Sequence, residues 1–103
     1  MNARYSEPNN LAKDVKERID IVDVIGARLP LDAHHKALCP FHQEKTPSFS
    51  VNPIGQYFYC FGCQAGGDVF EFLMRYEGMS FKEAVLELAH EAGILLPRFQ
   101  RRR

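Results

Sequence analysis

Cys39-Pro-Phe-His42 and Cys60-Phe-Gly-Cys63 are two pairs of metal-ligating side chains, each with two residues between its members. That gap lets a tight turn aim both side chains at one ion, and a second pair brought alongside completes a tetrahedron. Three thiolates and one imidazole select Zn²⁺ over Mg²⁺ or Ca²⁺, which prefer oxygen. Four protein ligands leave no position open for a reactive water, so the expectation is one structural zinc held by Cys39, His42, Cys60 and Cys63. An odd number of cysteines, three in all, also argues against a secreted disulfide framework.

Two other chemistries share some of these residues. His42-Gln-Glu44 ahead of Cys60-Phe-Gly-Cys63 imitates the zinc deaminase pattern, in which the Glu is general acid and base. That pattern has Pro directly before its Cys-x-x-Cys, whereas Tyr59 stands here, and it leaves Cys39 without a purpose. Thr46-Pro47 also interrupts the helix that would present His and Glu. A thioredoxin-like redox pair at Cys60 and Cys63 needs a surrounding βαβ pattern, which the chain lacks.

Basic and aromatic residues interleave around the ligands: Lys36, Phe41, Lys45, Tyr57, Phe58, Tyr59 and Phe61. Lysines neutralise phosphates and aromatic rings stack on unpaired bases, so Lys36, Lys45, Tyr57 and Tyr59 are candidate contacts to single-stranded DNA. The bland reading of the same residues is a hydrated lysine and tyrosines that cover the helices. Phe58 alternates with the two tyrosines, so only one of the two sets can face a core; Phe58 is expected inside, with Phe49. His34 and His35 read as an exposed turn.

The elements that must position these residues follow from periodicity. Leu11, Val15 and Ile19 recur at helical spacing, and Asp20 caps a second short helix through Ile25, with Gly26 expected to end it in a left-handed turn. Phe49 and Val51 alternate with polar residues as a strand, and Asn52-Pro-Ile-Gly55 supplies a turn into a partner strand over 56–60. Asp68 and Glu71 open a helix that Gly78 closes. Ser80 and Glu83 form a capping box for another, which Gly93 ends. The expected class is α+β, a small zinc ribbon with an antiparallel sheet flanked by short helices.

At 103 residues and 46% hydrophobic content the chain suits one domain, expected over 1–97, with a basic tail or linker start over 98–103. Thirteen acidic residues balance thirteen Lys and Arg, so attraction to nucleic acid must come from a local patch rather than bulk charge. No apolar run approaches a membrane span, and the first residues lack a signal peptide's apolar core, which predicts a cytoplasmic protein without a membrane partner.

Cys39-Pro-Phe-His-Gln-Glu-Lys-Thr-Pro-Ser-Phe49 and Tyr59-Cys-Phe-Gly-Cys63 resemble the N-terminal zinc-binding domain of bacterial replicative DNA primases. The likeness extends to Asp20-Ile-Val-Asp-Val-Ile25 and Phe72-Leu-Met74, and so covers nearly the whole chain. It implies template recognition that helps a separate RNA-polymerase domain, in cis or in trans, to start an RNA primer. Lys45 then resembles a template contact, and a replicative helicase is a further candidate partner. The chain departs from the family at Asp32-Ala-His-His-Lys36, a shorter and less basic loop, and at Gln64, where the family commonly has Gly. Phosphoryl transfer needs carboxylates that hold divalent metal, and no such constellation occurs here, so the chain alone is not expected to polymerise. The alternative is a zinc ribbon that docks a polymerase or helicase as a protein-interaction module.

Overall fold

Apolar residues at four-residue spacing form the first helix, α1 (Pro8–Arg18), which buries Leu11 and Val15. The computed structural model describes residues 8–42 and 47–94. Asp20 opens α2 (Ile21–Gly26) by accepting the Val22 N–H at 2.8 Å. A second orphan donor of this helix, the Ile21 N–H, goes to Gln56 Oε1 at 2.8 Å, so the distant hairpin tip helps to cap it. Gly26 does not end α2 in a left-handed turn. The chain runs on through Ala27 at φ −74°, and Arg28 Nη1 reaches back to the Val24 carbonyl at 2.8 Å. The Leu29 N–H takes the Ile25 carbonyl at 2.7 Å, so the carbonyls that a left-handed cap would serve are already satisfied.

The sheet has the order β1 (Lys36–Ala37), β2 (Phe49–Asn52), β3 (Tyr57–Cys60), β4 (Gly66–Gly67), antiparallel throughout. Val51 pairs with Phe58 and Phe49 with Cys60 on the buried face; Ser50 pairs with Tyr59 and Asn52 with Tyr57 on the other. Between β2 and β3, Asn52 Oδ1 accepts the Ile54 and Gly55 N–H groups at 2.9 and 2.7 Å. The left-handed residue of that turn is Gln56, at φ 57°. Gly55 serves another need, because a Cβ there would stand 2.5 Å from the Tyr57 ring.

Two further helices follow, the first over the buried face and the second packed on the first and on α1. Asp68 opens α3 (Val69–Glu77) by accepting the Glu71 N–H at 2.9 Å, and Gly78 closes it at φ 72°. Ser80 and Glu83 form the reciprocal capping box of α4 (Phe81–Glu91). Phe49, Phe58 and Phe72 are fully buried between sheet and α3, each removing apolar surface worth about 1.5–3 kcal/mol. Phe41, to which the sequence assigns no face, packs on all three at centroid distances of 6.1, 5.9 and 6.0 Å. Arg28 ties the helical end together, with Nε 2.9 Å from Glu77 and Nη2 2.9 Å from Glu91. The architecture is the expected α+β ribbon, and among the described residues no helix is long and apolar enough to cross a membrane.

Candidate metal centre and recognition face

Cys39 lies just beyond β1, Cys60 ends β3 and Cys63 sits in the turn toward β4, so the strand pairing carries the two ligand pairs to one corner. One potential ligand atom from each of Cys39, His42, Cys60 and Cys63 lies within 4.8 Å of the other three. Cys39 Sγ is 3.9 Å from Cys63 Sγ, and Cys60 Sγ is 4.0 Å from His42 Nδ1. Two sulfurs bound at about 2.3 Å at the corners of a tetrahedron stand about 3.8 Å apart, so the four side chains are already spaced for zinc.

Backbone donors prepare the sulfurs for negative charge. The Phe41 N–H points at Cys39 Sγ at 3.3 Å; Gly62 and Cys63 N–H point at Cys60 Sγ at 3.3 and 3.4 Å. Burial pushes the Cys39 thiol up to about 12, with the neighbouring Cys60 and Cys63 adding to the rise. Burial also opposes charge on Cys60, yet the Ser48 hydroxyl and the Cys63 and Gly62 amides outweigh it and lower that thiol to about 6. Crowded thiols in these conditions cannot all ionise alone, and a divalent cation among them resolves the conflict.

On the opposite face of the sheet, among the described residues, Lys36 and Tyr57 are exposed and Ser50 and Tyr59 half-buried. Lys36, Ser50, Tyr59 and Gly66 follow one another in register across the four strands. Asp32 fixes the start of β1, since its Oδ1 accepts the His34 and Lys36 N–H groups at 2.7 and 3.0 Å; these bonds, Lys36 first, hold its carboxyl below the usual range. Tyr57 is exposed and its hydroxyl accepts Asn52 Nδ2 at 3.1 Å. Tyr59 lies over Gly66, where a Cβ would come within 3.0 Å of its ring. Lys45 falls outside the described residues.

Sequence reasoning left Phe61 out of the candidate contacts. Its ring is 68% exposed and meets the Tyr59 ring edge-on at 5.0 Å, so Tyr57, Tyr59 and Phe61 form an aromatic column ending at the metal corner. The signal was present in the alternation, which places 57, 59 and 61 on one side of a strand. No carboxylate occurs on any of the four strands.

Two knuckles closing on one corner of a helix-backed antiparallel sheet define a zinc ribbon domain. Residues 7–103 match the CHC2 zinc finger family. The chain belongs to that family and is a zinc-binding domain of the DNA primase type. It is 48% identical over 99 residues to a DNA primase of Pseudomonas putida, covering 93% of this chain and 15% of the relative. A DNA primase of Geobacillus stearothermophilus is 50% identical over 90 residues, 84% of this chain and 15% of the relative. The crystal structure of the Aquifex aeolicus primase, comprising zinc-binding and RNA polymerase domains, aligns with a TM-score of 0.79 at 42% identity, over 89% of this chain and 24% of that one. The chain thus spans about 15% of the length of the curated relatives it matches. Family and cluster together establish one structural zinc.

Proposed function

We propose that Cys39, His42, Cys60 and Cys63 hold the zinc and that the sheet face bearing Lys36 and Tyr57 beside them binds single-stranded DNA, so that the domain presents a template for RNA primer synthesis. The observation that carries this reading is the column Tyr57, Tyr59, Phe61 flanked by Lys36 on strands free of acid. Exposed rings accept unpaired bases whatever their sequence, and lysines neutralise phosphates. Lys45, beside the first ligand pair in the sequence, is proposed as a further template contact. The zinc supplies no reactive position; its work is to hold the second knuckle, and with it Phe61, against the sheet.

Primer synthesis itself requires a nucleotidyl-transfer centre, which we assign to an RNA polymerase domain acting in cis or in trans. With few basic groups on the face, binding is weak and salt-sensitive. The test is a low-salt titration of the zinc-loaded domain with fluorescent single-stranded DNA. Phe61→Ala and Tyr59→Ala should each weaken binding by about 1–3 kcal/mol with zinc content unchanged. Absence of binding by the unaltered domain, together with unchanged start sites and primer lengths when it is added to a primase polymerase domain, would sink the proposal. A second reading, docking onto a polymerase or helicase, draws on Ile54, 94% exposed at the hairpin tip. Cross-links from the sheet face to protein alone would favour it.

A further inference from the structure

Ser48 is not one of the four metal-ligating residues, yet two of its atoms touch the second knuckle. Its Oγ lies 3.5 Å from Cys60 Sγ, and its carbonyl accepts the Phe61 N–H at 2.9 Å. Cys60 is completely buried, so water does not supplement the donors around its sulfur. Two of those donors, the Gly62 and Cys63 amides, belong to the knuckle's own backbone and persist whatever side chains stand there. Among the described residues the Ser48 hydroxyl is the one side-chain hydroxyl aimed at a ligand sulfur. It comes from outside the second knuckle, from the neighbouring stretch that leads into β2, where Phe49 pairs with Cys60.

We propose that Ser48 is a positioning residue for the zinc. Its hydroxyl donates to the Cys60 thiolate and fixes the direction of that sulfur, while its backbone carbonyl holds Phe61, so that one residue joins the segment after the first ligand pair to the second pair. A donor to a metal-bound thiolate favours the charged form that binds metal. Outer partners of this kind are worth about 10–100-fold in metal affinity. The competing account is that Ser48 is merely a small residue that fits a half-buried place.

An isosteric pair separates the two accounts, because Thr and Val share a shape and differ by the hydroxyl. Zinc would be competed from the whole 103-residue chain with a chromophoric chelator, and the thiolate-to-metal charge-transfer band read on the Co²⁺-substituted chain. Ser48→Val should weaken zinc retention about 10–100-fold and shift the cobalt band, while Ser48→Thr keeps both near the unaltered values. Ser48→Ala, which opens space rather than filling it, should behave as Ser48→Val does. Equal zinc retention and equal band positions in the Thr and Val variants would overturn the proposal, as would an Ala variant within about twofold of the unaltered chain.

Discussion

The two knuckles of the metal site carry a phenylalanine each, and they use it in opposite ways. Phe41, between Cys39 and His42, turns inward onto Phe49, Phe58 and Phe72. Phe61, between Cys60 and Cys63, turns outward and is 68% exposed, as are its neighbours Gly62, Cys63 and Gln64 to differing degrees. The first knuckle is therefore plugged into the hydrophobic core, whereas the second, beyond the buried Cys60, hangs on hydrogen bonds and on the metal. A metal contributes most where packing contributes least, so the zinc's weight falls on the knuckle that presents the outward ring.

The largest expected effect follows from removing the metal. Structural zinc contributes about 10–16 kcal/mol in isolated finger peptides, which matches or exceeds the about 5–15 kcal/mol net stability of an ordinary domain. Chelation, or Cys39→Ser, should abolish the cooperative thermal transition seen with zinc. An unfolding temperature unmoved by chelation would mean that the core holds both knuckles unaided. A smaller effect should come from Phe41→Ala, which strips the first knuckle of its packing. The ring is half-buried, so the loss is set at about 2 kcal/mol, below the about 3–5 kcal/mol of a fully buried Phe→Ala. Denaturant unfolding of the zinc-loaded variant measures it, and a loss no larger than that of Phe61→Ala would erase the proposed asymmetry.

The same contrast explains what could be read from the sequence. The class, the hairpin and the caps at Asp20, Asp68 and Ser80 were legible because each rests on local spacing or on one residue's bond to its own backbone. The convergence of Cys39, His42, Cys60 and Cys63 was legible because pair spacing and an intervening hairpin suffice to bring them together. The inward turn of Phe41 was not legible because Phe at 41 and at 61 look alike in sequence; only the packing of α3 against the sheet turns one of them inward. The end of α2 was misread because Arg28, which bonds the Val24 carbonyl and reaches Glu77 and Glu91 far along the chain, replaces a local cap with a tertiary one. Gln56 was read as the start of a strand, since its bond to the Ile21 N–H spans 35 residues.

The smallest effect sharpens the comparison most finely, because it concerns the backbone of the second knuckle alone. Gln64 adopts φ 64°, and its N–H donates to the Cys60 carbonyl at 2.8 Å to close the turn. A left-handed conformation costs an L-residue with a Cβ about 1–2 kcal/mol, whereas glycine adopts it freely but loses about 0.5–1 kcal/mol through the greater freedom of its unfolded chain. Gln64→Gly should therefore stabilise the zinc-loaded domain by about 0.5–1 kcal/mol, a rise of about 2–6 °C in Tm. Gln56 supplies the control: its φ is 57°, yet its side chain receives the Ile21 N–H and donates to the Pro53 carbonyl at 2.8 Å. Relief of strain in Gln56→Gly is offset by the loss of that cap, at about 1 kcal/mol, so its Tm should not rise. If both glycine variants gained equally, backbone strain alone would govern the two turns and the Gln56 bridge would contribute nothing; if neither gained, the second knuckle would not be the strained one.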